Sequence, residues 1–321
     1  MQRIFTIAGT CFLLLPLAGY AAENAAPLGV HITELTNRLR IEINGRLFTE
    51  YYFKDVPRPY CYPLIGPGET PMTRNWPMKT VPDESNDHPH HRSLWFAHGA
   101  VNGVDFWSEA KSFGKIVQDR FSEIKSRKDY GIISSQNKWI AADGTVICTD
   151  DRTFRIYAPK QDDARVMDFE ITLHAPDHEV TFGDTKEGAM AARLAETMRL
   201  KGKVGHGHIV NSAGDRDEAT WGKRADWCDY YGPVDGKIVG MAIFDHPKNP
   251  RHPTWWHVRD YGLFAANPFG QHDFEELSDK SAGNLTIPAG QSVTFRYRFY
   301  LHQGDEKEAK VAEKYQQYLK E

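Results

Sequence analysis

Apolar and polar residues alternate along most of this chain. Leu39, Ile41 and Ile43 interleave with Arg40, Glu42 and Asn44; Met167, Phe169, Ile171 and Leu173 with Asp168, Glu170 and Thr172; and Phe295, Tyr297, Phe299 and Leu301 with Arg296, Arg298 and Tyr300. A period of two puts the apolar side chains of an extended segment on one face, so these segments predict half-buried antiparallel strands. Further strands are predicted over 47–53, 132–140, 146–157, 189–200 and 238–244, bounded by Gly, Pro, Asp and Asn clusters. Only the tail carries a helical period: Asp305 follows Gly304 as an N-cap, and Val311, Ala312, Tyr315, Tyr318 and Leu319 share one face. The expected fold is all-β, a large antiparallel β-sandwich with a C-terminal helix docked on a sheet.

Arg3, a mostly apolar run from Ile4 to Leu17, and the small residues Gly19 and Ala21 around Tyr20 predict a secretory signal peptide over 1–21. Thr6, Gly9, Thr10, Pro16 and Gly19 interrupt the run, which falls short of the ~20 residues that span a bilayer, so an uncleaved anchor is the weaker reading. What remains is a single domain over 22–321, periplasmic or extracellular, with no later segment apolar enough for a membrane. A net charge of -4 and the lack of basic runs argue against nucleic acid as a partner. Export removes Cys11 and leaves Cys61, Cys148 and Cys228, enough for at most one internal disulfide.

Candidate chemistry is concentrated in histidine-rich segments. Asp87-His88-Pro89-His90-His91-Arg92-Ser93-Leu94-Trp95-Phe96-Ala97-His98-Gly99 holds four of the 14 histidines beside two aromatic residues. Imidazoles transfer protons near neutral pH, ligate metals and hydrogen-bond hydroxyls. If the segment is extended, His88 and His90 share a face and His91 opposes them. Gly205-His206-Gly207-His208 and the run from His252 to Gly262 repeat the mixture, within long stretches (61–86, 204–231 and 246–273) that read as functional loops. Trp faces stack on sugar rings while charged and amide groups bind hydroxyls, so Trp95, Trp255, Arg92, His98, Asp105, Arg259, Asp260 and Asn267 are candidate substrate ligands together with His88. His90, His91, Glu196 and His257 are the candidate acid/base residues; for Glu196, between Arg193 and Arg199, an ion-paired structural role competes. The His88/His90 and His206/His208 pairs form two His-x-His elements that could instead hold copper or zinc.

The first histidine segment, Asn102-Gly103-Val104-Asp105-Phe106-Trp107 and Asn267-Pro268-Phe269-Gly270 resemble a secreted bacterial domain family labelled "methane oxygenase PmoA" or PmoA-like, over nearly the whole mature chain. The oxygenase subunit of that name crosses the membrane several times, which this chain does not, so the resemblance implies a secreted β protein of polysaccharide-degrading bacteria. The strand pattern is also similar, at the level of fold, to the β-supersandwich of galactose mutarotases and certain polysaccharide lyases. That similarity implies histidines and a carboxylate on a concave sheet face moving protons on a sugar ring, with His90 and His91 and either Glu196 or His257 in those roles. A fold analogy does not by itself assign function. The expectation is thus a carbohydrate-active enzyme of lyase, hydrolase or epimerase type that needs no cofactor, against a non-catalytic sugar-binding module and a copper or zinc protein. The N-terminus tests the first link: sequencing the exported protein is expected to find its first residue at or just after Ala22, and an intact Met1 would contradict export.

Overall fold

The computed structural model describes residues 28–321, with Gln2 alone before them, and the predicted leader lies outside that stretch. Two antiparallel sheets face each other. The first runs, in spatial order, Val30–Glu34, Arg38–Ile43, Arg46–Tyr52, Tyr60–Leu64, Leu94–His98, Gly188–Arg193, Leu263–Asn267, Thr254–Val258 and Arg224–Ala225. The second runs His208–Asn211, Trp227–Val234, Lys237–Asp245, Ser292–Gln303, Ala164–His174, Val146–Tyr157, Tyr130–Ile140 and Lys115–Ser126. The chain is therefore a large β-sandwich, and among the described residues no helix is long and apolar enough to cross a membrane.

Aromatic side chains from both sheets close the core. Phe96 of the first sheet meets Trp139 and Phe169 of the second at 6.2 and 6.1 Å between ring centroids, and Tyr51 meets Phe154 edge-on at 5.4 Å. The buried Asp150 carboxylate within this core accepts bonds from Trp139 Nε1, Asn137 Nδ2 and the Arg152 guanidinium, so the one charge pair there has its lone pairs filled. On the outer face of the second sheet, Tyr315 and Tyr318 of the helix Val311–Tyr318 pack on Phe244.

Three expectations change. The strand predicted over 189–200 ends at Arg193, and the chain passes into a 3₁₀ turn at Glu196–Met198. The C-terminal helix begins at Val311; Asp305 caps only the preceding turn, accepting from the backbone amides of Lys307 and Glu308. The supposed loops 61–86, 204–231 and 246–273 contain strands, among them Thr254–Val258 and Leu263–Asn267, whose ten residues are all buried. A strand covered on both faces has no alternation to read, which is why these escaped the period-two pattern.

Cys61, Cys148 and Cys228 are all free and buried, and burial raises each thiol's pKa, that of Cys61 to about 12. Thiol titration of a chain beginning at Ala22 is therefore expected to find no rapid reaction in the native state and three equivalents after denaturation. Fewer than three would signify a disulfide and a different local packing.

Candidate functional site

The site is built on the outer face of the first sheet. Opposed residues of an antiparallel ladder share a face, so Tyr60, Trp95, Ala191, Ala265 and His257 form one row across five strands. Large side chains stand at both sides of a floor of two buried alanines. Arg193 lies on the same face one step along its strand from Ala191, and Glu187 lies beyond the strand's other end, against Gly99.

The histidine segment folds over this row as a turn and not as the extended run expected from sequence. His88 sits at φ 42° and its carbonyl accepts the His91 amide at 3.0 Å, so the chain reverses at Pro89 and the three rings of His88, His90 and His91 gather together. His88 stacks on His91 (4.8 Å, 9° between planes) and on Tyr261 (5.1 Å, 7°); His90 meets His91 edge-on at 4.4 Å; and His91 lies against Trp95 at 5.3 Å. The turn is held by charge. Asp87 Oδ1 accepts from Arg74 Nη1 at 2.5 Å and from Arg193 Nη2 at 2.7 Å, and lies 3.2 Å from His88 Nδ1. Both guanidiniums are fully buried, and such a charge is tolerated only with a partner. Arg74 also donates to the His88 carbonyl, while Arg58 donates to the carbonyls of His90 and Trp107.

These contacts fix protonation. Burial alone would raise the Asp87 pKa, but the His88 hydrogen bond and the Arg193 and Arg74 charges hold its carboxyl well below the usual carboxylate range. The ionised Asp87 faces His88 Nδ1, which favours the tautomer protonated there and leaves Nε2 turned away from the carboxylate. His91 Nδ1 accepts from Arg193 Nη1 at 2.9 Å, and burial, His90 and Arg193 push its pKa well below 6.5. His90 is pushed down to about 4, chiefly by burial and then by Arg58 and His88. His257 donates from Nδ1 to the Lys186 carbonyl at 2.7 Å; burial takes it down to about 3, and its buried Nε2 has no partner. Trp95 Nε1, Trp107 Nε1, Trp221 Nε1 and Arg193 Nε are likewise buried without a partner.

Several residues chosen from sequence are committed elsewhere. Glu196 accepts from Ser85 Oγ and from Arg199 Nη1 at 2.6 Å, the ion-paired role that competed for it. Arg92 is bidentate with Glu109 and lies over Tyr60. His98 is fully buried, donates to the Gly183 carbonyl and packs between Phe182 and Phe269. Asp105 accepts from the amides of Trp107 and Ser108; Asn267 binds the Thr185 carbonyl and the Phe269 amide; Asp260 lies 3.8 Å from Lys201; and Trp255 donates to Glu275 beneath Arg224. His208 opens a strand of the other sheet and His206 lies just before it, with both side chains exposed and His208 beside Asp217 and Tyr231. They do not join His88 and His90, and among the described residues no three His, Cys, Asp or Glu side chains are arranged to hold a metal ion.

The model of one protein family covers residues 38–316. The chain belongs to DUF6807, a family of unknown function. No curated protein matches it. The DUF6807 match extends over both sheets and the histidine turn, yet it carries no activity with it, so function rests on the side chains. Sequence reasoning passed over four of these: Arg58, Arg74, Arg193 and Glu187 stand alone in their segments, and no spacing marks them. Asp87 opens the histidine motif, where an acid beside His88 was the available signal. Burial raises the pKa of Glu187, whose titration also feels Lys186 and His88 and which makes no ion pair among the described residues.

Two effects of pH follow for this DUF6807 chain. A histidine held at about 4 in the fold and near 6.5 in the unfolded chain binds its proton first in the unfolded state, so stability falls as pH drops from about 6.5 to 4. Asp87, depressed in the fold, contributes stability that is present above about 3.9 and lost below it. Denaturant midpoints for His90→Gln are expected to fall less steeply between pH 6.5 and 4 than those of the parent. Asp87→Asn, which strips two buried guanidiniums of their shared carboxylate, is expected to cost on the order of 3 kcal/mol at pH 7. A wild-type midpoint in Asp87→Asn would contradict the role given to this carboxylate.

Proposed function

We propose that the chain is a secreted carbohydrate-active enzyme, of lyase, hydrolase or epimerase type, working by acid/base chemistry at the histidine turn. The observation that carries the reading is the Asp87–His88 contact, with Glu187 close enough for the charge of His88 to act on its titration. Asp87 is ionised and favours the His88 proton on Nδ1, which presents Nε2 as a base. Glu187, raised by burial and unpaired, holds its proton more readily than a surface carboxyl and suits the part of acid. Environments that push two titratable groups apart are what such a division of labour requires.

The surroundings support a polyhydroxylated ligand. Arg259, without an ion pair among the described residues, stands over the Tyr261 ring as a hydroxyl or carboxylate ligand. Aromatic rings from Trp95 and Tyr261 supply apolar faces of the kind that sugar C–H groups stack on. The leader-like N-terminus supports placement in the periplasm or outside the cell, where polysaccharide fragments occur. His90, neutral and without a hydrogen bond to its ring, serves as a hydroxyl ligand beside the base.

The test is turnover on a panel of glycosides and polysaccharide fragments in the presence of a chelator. His88→Gln and Glu187→Gln are each expected to lower kcat by about 10²–10⁴-fold with little change in melting temperature. Full activity in both variants would overturn the assignment of base and acid.

A further inference from the structure

Arg259 is a charged group that the acid/base assignment does not use. It lies two residues beyond His257 on the same sheet face, and its guanidinium stands 5.9 Å from the Trp221 ring and 5.4 Å from the Tyr261 ring. Among the described residues no carboxylate lies within ion-pair distance of it. The neighbouring acids are engaged: Asp260 and Glu218 with Lys201, Asp273 with Lys186, and Asp87 with Arg74 and Arg193. Its field reaches inward, since Arg259 is one of the charges that lower the His257 pKa.

The same ring ties this cation to the rest of the site. Tyr261 stacks on His88 and also carries the Arg193 guanidinium at 4.7 Å. Beside Arg259 lie two buried groups with nothing to bond: Trp221 Nε1, a donor, and His257 Nε2, an acceptor because Nδ1 holds the proton. A ligand on this face presents a carboxylate to Arg259 and the C–H face of its ring to Trp221 and Tyr261. We infer that the site takes sugar acids, with Arg259 binding the carboxylate of a uronate residue on the Trp221 and Tyr261 rings. The inference rests on the carbohydrate reading above and narrows it to an acidic class. Arg suits the part because its planar fork pairs with a carboxylate while its flat face stacks on aromatic rings.

The experiment uses the full exported protein and isothermal titration with short oligogalacturonates, glucuronate-containing oligosaccharides, the methyl esters of both, and neutral oligosaccharides of equal length. The methyl ester keeps the shape and removes the charge. A charge-assisted contact of this kind is expected to favour the free acids over their esters by about ten-fold or more. Arg259→Gln is expected to abolish that preference, while Arg259→Lys keeps part of it. Equal affinity for acid and ester in the unmodified protein, which needs no variant to fold, would overturn the uronate assignment; so would an acid preference that survives Arg259→Gln. Binding of neutral sugars alone would overturn it and leave the carbohydrate reading standing, whereas binding of none of the probes would overturn both.

Discussion

The histidine turn depends on a single carboxylate. Arg74 and Arg193 carry full charges in positions that no solvent reaches, and Asp87 is the acid that both contact directly. Burying a guanidinium costs several kcal/mol unless a partner fills its donors, so Asp87 is drawn down onto the sheet and brings the following residues with it. His88 is then oriented by Asp87, His91 by Arg193, and the His88 backbone by Arg74. The placement of His88 and His91 thus follows from one ion cluster, while Arg58 holds the His90 backbone.

The sheet supplies what the turn rests on. Ala191 and Ala265 are small enough to leave a low floor between Trp95 and His257, and strands buried on both faces hold that floor rigidly. The second sheet places none of these side chains. Its part is to close the core against Phe96 so that the first sheet's outer face is presented on a fixed scaffold. A site on strands with one short turn above it is better fixed than one made of loops alone.

How much of this was legible in the sequence differs between the two sheets. Strands such as Ala164–His174 and Ser292–Gln303 have one covered face and one wetter face, and their alternation announced them. Leu94–His98, Gly188–Arg193, Thr254–Val258 and Leu263–Asn267 are buried throughout, so the strands that carry the site read as irregular segments. The histidine cluster was visible by density alone. Which histidine has an orienting acid was not, because an extended run was assumed where His88 reverses the chain. The guanidiniums that hold the turn come from sequence positions 74 and 193, a separation that no local pattern encodes.

The most direct test of this organisation is ¹⁵N NMR of the imidazoles in uniformly labelled protein, followed from pH 7.5 to 5. The account predicts a neutral His91 protonated on Nε2 and a neutral His257 protonated on Nδ1 across the whole range, with His88 carrying its proton on Nδ1 whenever it is neutral. A His91 that titrates near 6.5, or a neutral His88 protonated on Nε2, would mean that the Asp87 cluster does not organise the turn.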